Sequence, residues 1–154
     1  MYVKELDTVD REILKLLQKD ASLTNKEISF KLRKSLATIH ERTRRLKEQG
    51  YIMRTVAILD RKKINKNLIA FSQVLLSDHT ADTLNEFEME VVKLPEVMEC
   101  FQMTGTFDFI LRVATADMEE YHHFYRKLGT LPKITSVQSF FVLSETKSDT
   151  AYPL

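Results

Sequence analysis

The residues best placed to do chemistry lie between Leu23 and Gly50, in the run LTNKEISFKLRKSLATIHERTRRLKEQG. At about 100° per residue, a helix beginning after Ser35 turns Ile39, Thr43 and Leu46 inward. Ala37, Glu41, Arg44 and Glu48 then point directly outward, with Thr38, His40 and Arg45 on the flanks. Cationic donors beside carboxylate acceptors on one exposed helix face can read base edges, and neighbouring cations can neutralise phosphates. The predicted DNA surface is therefore Leu36, Ala37, Thr38, His40, Glu41 and Arg44 toward the major groove. Lys34, Ser35 and Arg45 are expected to hold the backbone.

Other chemistries find little support. His40, His79 and the His122–His123 pair are scattered, and adjacent histidines on a helix point about 100° apart, so no metal site is predicted. Cys100 sits between Met98 and Gln102 in a strand pattern, where an inert thiol is the ordinary outcome. Three glycines, at positions 50, 105 and 129, cannot build a phosphate-binding loop. No cofactor and no catalytic residue is predicted.

The elements that must position the DNA surface are legible. Thr24 and Glu27 form a capping box that opens a helix carrying Ile28 and Leu32 on one face. Ser35 caps the next helix, and Gly50 ends it in a left-handed position. Upstream, Asp7 caps a helix with Asp10 in its first turn and Ile13, Leu14, Leu16 and Leu17 as its apolar face. After Gly50, the β-branched run from Thr55 to Leu59 predicts a β-segment serving as a wing. Residues 1–60 thus read as a winged helix-turn-helix, followed by a basic linker over 61–66, RKKINK.

Charge divides the chain at the same place. Residues 1–66 hold 17 Lys and Arg against 9 Asp and Glu, a net +8 hidden within the overall +1 of the 154-residue chain. Residues 67–154 hold 6 against 13, a net −7. The basic half can release counterions from a nucleic acid, and the acidic half would be repelled by one. No apolar run approaches the roughly 18 residues that span a membrane. The opening MYVKELDTVDRE is too polar for a signal peptide, and one cysteine permits no internal disulfide, so a cytoplasmic location is expected.

From Asn67 the pattern is β-α-β-β-α-β. Strands are predicted at 68–76, 97–103, 107–114 and 134–143, with helices at 81–94 and after Asp117. This is a ferredoxin-like domain over 67–154, and the whole chain is of the α+β class. Both faces of its sheet are apolar: Ile69, Phe71 and Leu75 oppose Ala70, Val74 and Leu76 in the first strand alone. Two helices cover only one face, so a second copy of the domain is the expected lid and a homodimer the expected unit.

These residues resemble the Lrp/AsnC family of transcription regulators. The similarity runs through LDTVDREILKLLQKDA at 6–21, Ser35, ERTRRLKEQGYI at 41–52, PEVMECFQMTGTFDFILRV at 95–113 and FVLSETK at 141–147. The resemblance implies a regulator of double-stranded DNA whose sheet-paired dimers assemble into octamers or other higher oligomers. It also implies an amino-acid-like effector bound between dimers near Thr104, Gly105 and Asp108. A physical case runs beside it: Gly105 would let a ligand approach the backbone closely, and Asp108 would accept from its α-amino group. The alternative is that Gly105 makes the hairpin and Asp108 caps it.

Four positions depart from the family pattern. Arg33–Lys34 stand where it has a turn glycine, so the turn is expected to form without that easy positive φ. Leu36 replaces a proline after the serine cap, and Asn65 or Asn67 must serve for a linker glycine. Phe109 replaces a tyrosine and removes a hydroxyl near the effector loop. Asp108 and Arg112, on one sheet face, are expected to pair across a dimer or to meet a ligand.

Two other functions fit less well. One is a small-molecule sensor or enzyme on the ferredoxin-like half, with the basic half serving for oligomerisation; the charge split and the capped helix pair oppose it. The other is an RNA-binding module, which the net −7 of the sheet domain opposes.

Overall fold

A computed structural model describes residues 5–154 as two compact units. One comprises the N-terminal residues through Ile58 together with 147–154, and the other spans Leu59–Thr146. The last eight residues therefore pack with the N-terminal unit, whereas the sequence had placed them with the second domain.

The N-terminal unit contains α1 (Thr8–Leu17), α2 (Asn25–Leu32) and α3 (Leu36–Glu48). Each start follows the capping signals. Asp7 Oδ1 accepts from Asp10 N–H at 2.9 Å, and Ser35 Oγ accepts from Thr38 N–H at 3.1 Å. The Thr24–Glu27 capping box is reciprocal, with bonds of 3.2 and 2.7 Å. Ile13, Leu14, Ile28, Ile39 and Leu46 form the core where the three helices meet.

Both later helix ends are Schellman motifs. At α3, Tyr51 N–H donates to Leu46 O and Gly50 N–H to Lys47 O, with Gly50 at φ +79°. At α2, Lys34 N–H donates to Ser29 O and Arg33 N–H to Phe30 O. Here the left-handed position belongs to Arg33 at φ +53°. The turn expected to do without a positive φ uses one, imposed on an arginine.

The expected wing forms no β-ladder: residues 53–60 have no strand assignment, and Val56, Ile58 and Leu59 are exposed. A β-segment needs a neighbouring strand to satisfy its backbone. Among the described residues none pairs with this one.

The second unit is a four-stranded antiparallel sheet in the order β2-β3-β1-β4. Its elements are β1 (Leu68–Leu76), α4 (Ala81–Val91), β2 (Val97–Gln102), β3 (Phe109–Thr115), α5 (Met118–Leu128) and β4 (Ile134–Phe141). Phe87 and Val91 of α4 pack with Tyr121, Phe124 and Leu128 of α5 against Ala70, Val74, Phe109, Leu111 and Val113. The Phe87 and Phe109 rings lie 4.7 Å apart.

On the opposite face, one cross-strand row runs Glu99, Arg112, Phe71, Phe140 and the next brings Phe101 beside Ile110. Phe71, Phe101 and Phe140 are exposed there. Residues 61–66 are a hydrogen-bonded turn of this unit rather than a free tether. Arg61 donates to Asn67 O and pairs with Glu145, Lys66 pairs with Glu120 at 2.7 Å, and Asn65 takes φ +56°.

Candidate nucleic-acid interface and effector loop

α3 presents the surface its spacing predicted. Ile39, Thr43 and Leu46 are buried, while Leu36, Ala37, Thr38, His40, Glu41 and Arg44 are exposed, as are Lys34 and Ser35 in the preceding turn. The Ser35 hydroxyl caps the helix and also meets Thr38 Oγ1 at 2.8 Å, which fixes the first turn of the outward face.

The arginines of α3 are less free than their sequence positions suggest. Arg44 is bracketed on its own helix, with Nη2 2.8 Å from Glu41 Oε1 and Nη1 2.6 Å from Glu48 Oε1. Hydrogen bonding to Glu41, then to Glu48, raises the Arg44 pKa, and the Arg44 guanidinium lowers that of Glu41. Both pairs are exposed and therefore weak, so Arg44 can exchange carboxylates for another acceptor at small cost.

Arg45 faces inward to a different partner. Its Nη2 lies 2.9 Å from both oxygens of Asp10, which is only 4% exposed. Arg42 Nη1 joins the cluster at 2.8 Å from Asp10 Oδ1 and 2.6 Å from Asp7 Oδ2. The Arg42 hydrogen bond, helped by Asp10 N–H, depresses the Asp7 pKa to about 2. The role foreseen for Arg45, phosphate contact, competes with this tie between α1 and α3. Sequence reasoning did not single out Asp10 and Arg42 as partners. A signal existed: Asp10 lies three and four residues before Ile13 and Leu14, on the stripe that is buried.

In the second unit, Asp108 is only 8% exposed and almost fully engaged. Its N–H donates to Val74 O at 2.9 Å, its C=O accepts from Met103 N–H at 2.7 Å, and Oδ2 accepts from Leu76 N–H at 2.7 Å. Oδ1 meets His79 Nε2 at 2.9 Å. Within one chain, Arg112 pairs with Glu99 on the neighbouring strand at 3.4 Å.

Thr104 and Gly105 lie at the exposed tip between β2 and β3, and the N–H groups of residues 104–107 donate to no described residue. Gly105 is not required by crowding: a Cβ there would meet nothing within 4 Å. Its φ of +121° is what demands glycine. Phe109 is fully buried against Phe87, so the hydroxyl it lacks would have entered the core. The missed residue is His79, eight positions after Phe71 and in no motif, brought to Asp108 only by the fold.

Among the described residues no group of His, Cys, Asp and Glu has metal-site geometry. Burial, with Glu88 adding a smaller electrostatic effect, raises the Cys100 pKa to about 11. No helix is long and apolar enough to cross a membrane among the described residues.

Comparison with known proteins agrees with both halves. Residues 6–53 match the family model described as winged helix-turn-helix DNA-binding, and residues 69–152 match the Lrp/AsnC ligand binding domain. The Bkd operon transcriptional regulator of Pseudomonas aeruginosa is 36% identical over 151 residues, covering 97% of this chain and 99% of that protein. The DNA-binding transcriptional activator DecR of Escherichia coli is 32% identical over 150 residues, with the same coverage. Among solved structures, an AsnC family transcriptional regulator from Agrobacterium tumefaciens superposes with a TM-score of 0.92 at 32% identity, covering 96% of this chain and 97% of that one. A transcriptional regulator from Neisseria meningitidis, solved as its L-Met complex, gives 0.92 at 33% identity and 97% of both chains. With its helix-turn-helix surface and sheet domain matched end to end, the chain belongs to the Lrp/AsnC family and is a DNA-binding transcription regulator.

Proposed function

We propose that the chain works as a homodimer or higher oligomer that binds a pseudo-palindromic operator through α3 and the turn before it, under control of an amino-acid-like effector. The observation that carries the DNA reading is the exposed surface of α3, in which only Ile39, Thr43 and Leu46 are committed to the core. Leu36, Ala37, Thr38, His40, Glu41 and Arg44 reach the base edges, and Lys34 and Ser35 position the backbone. Arg45 contributes to phosphate contact only so far as Asp10 releases it. The chain acts on DNA without catalysis, in the cytoplasm.

The apolar open sheet face, with Phe71, Phe101 and Phe140, supports pairing with a second copy. The ladderless segment 53–59 leaves a further unpaired edge for such a copy to cover. A dimer places two recognition helices so that half-sites are spaced by about one helical turn or a multiple of it. At the effector loop, Asp108 Oδ1 would accept an α-ammonium, and the undonated N–H groups beyond Thr104 would meet a carboxylate. The L-Met complex of the Neisseria relative supports an amino acid as ligand class.

Gel shifts with genomic operator fragments over a range of salt test the DNA reading. Arg44→Ala should cost roughly 1–3 kcal/mol at one base position, whereas Lys34→Ala should weaken all sequences alike and reduce the salt slope by about one. Unchanged affinity and slope in both variants would refute the assignment. Sedimentation showing a monomer at micromolar concentration would refute the pairing.

A further inference from the structure

We propose that His79 is a built-in occupant of the effector's ammonium position, competing with the ligand for Asp108 and setting the threshold at which effector is sensed. This rests on the reading of Asp108 as the effector's amine acceptor. The backbone N–H, the C=O and Oδ2 of Asp108 are each bound within the sheet, to Val74, Met103 and Leu76. Those bonds hold the carboxylate rigid and leave Oδ1 as the acceptor that can change partners. Its partner in the structure is the imidazole of His79, a nitrogen donor at 2.9 Å that lies where a ligand's ammonium would make a similar contact.

The histidine is built to leave. Its side chain is 66% exposed, and its contact to Asp108 is its one polar tie among the described residues, so the contact that must break has a buried carboxylate on one side but an exposed ring on the other. Its neighbours in the loop are anchored independently. Asp78 accepts from Thr80 N–H and Oγ1 at 3.1 and 2.7 Å, and faces Lys133 at 3.5 Å. Thr80 then caps α4. Displacing the ring therefore leaves the start of α4 in place, while Asp108 itself stays pinned to the end of β1. A ligand gains an acceptor already oriented, and gives up only the contact that His79 loses.

The experiment is calorimetric titration of the full chain with L-methionine and the other nineteen amino acids, for wild type, His79→Ala, His79→Lys and Asp108→Ala. His79→Ala should bind the responsive amino acid about two- to fivefold more tightly, the range expected for removing one competing pair whose histidine side is open to water. His79→Lys, with a permanent cation beside Oδ1, should bind more weakly than wild type, and Asp108→Ala should lose binding. N-acetyl-L-methionine, which lacks the ammonium, should bind none of them. Opposite signs for the two His79 variants separate competition from a loop-stabilising role, which either substitution would impair. Equal or weaker binding by His79→Ala, with wild type still binding, overturns this inference alone. No amino acid bound by either wild type or His79→Ala overturns the effector reading, and this inference with it.

Discussion

Replacing Arg33 by glycine should stabilise the N-terminal unit. Arg33 occupies the left-handed position of the Schellman turn that ends α2, at φ +53° and ψ +45°. An L-residue there carries steric strain of roughly 1–2 kcal/mol that glycine avoids. Glycine returns about 0.5–1 kcal/mol of this through the greater freedom of the unfolded chain, leaving a net gain of about 0.5–1 kcal/mol. No ion pair of the Arg33 side chain is present among the described residues, so removing it forfeits no contact of that kind. For a unit of this size the gain corresponds to a rise of roughly 2–8 °C in melting temperature. Thermal unfolding followed at 222 nm would show it, and hydrogen exchange at the Lys34 amide, which closes the turn on Ser29, would report locally. Arg33→Ala is the control, because it removes the charge but keeps the Cβ. If Arg33→Gly is no more stable than Arg33→Ala, the strain argument is wrong.

Other outcomes follow from the buried charges and the thiol. Asp10→Ala should destabilise the N-terminal unit by about 2–3 kcal/mol, less than the roughly 3–5 for a fully buried pair because Arg42 and Arg45 can reach water; denaturant titration checks this. Asp7 is held near 2, below its ordinary 3.8, so its contribution is complete above about pH 4 and is lost as the pH falls through about 2. Asp7→Asn, which keeps a good N-cap, should therefore melt below wild type at pH 5 and converge on it as the pH falls below about 2. Cys100, with its pKa raised to about 11 from 9, should react with iodoacetamide on the order of 100-fold more slowly than an ordinary thiol, and at the ordinary rate in guanidinium.

What the sequence shows clearly is what repeats at a fixed local period or sits at a cap. Thr24 and Glu27, Ser35, Asp117 and the Ile39–Thr43–Leu46 stripe each place an element through contacts within about four residues, and all stand where their spacing puts them. Strand β1 keeps its anticipated bounds because its faces are apolar apart from Ser72 and Gln73. Less legible is anything that depends on which elements meet. Arg45 looks like a phosphate ligand until α1 brings Asp10 against it, and Asp108 looks like an open acceptor until β1 supplies Leu76 N–H and the following loop supplies His79. The segment after Gly50 has strand-forming residues, yet strand formation needs a second strand, and local propensity cannot say where that strand comes from. Gln18 pairs through both ends of its amide with the backbone of Tyr152, at 2.6 and 2.9 Å, a contact across 134 residues that no periodicity announces.

The same distinction changes where the positive charge of the first unit can act. The net +8 of residues 1–66 counts every cation alike, but Arg42 and Arg45 are held by Asp7 and Asp10, and Arg44 by Glu41 and Glu48. Lys26, Lys31, Arg33 and Lys34, on α2 and the turn that leads into α3, have no ion pair among the described residues, as is also true of Lys19, Lys47 and Arg54. On the proposed reading, the cations grouped on α2 and this turn contribute counterion release beside the start of α3, while α3 supplies discrimination, Arg44 only after leaving Glu41 and Glu48. This division also accounts for an arginine at a position that backbone geometry reserves for glycine. Arg33 carries strain that glycine would remove, but it adds a free cation beside Lys34 at the entrance to the recognition helix. On the proposed reading, stability lost in the turn would be offset by charge placed where phosphates are met, the exchange expected where function and folding make opposite demands on one residue.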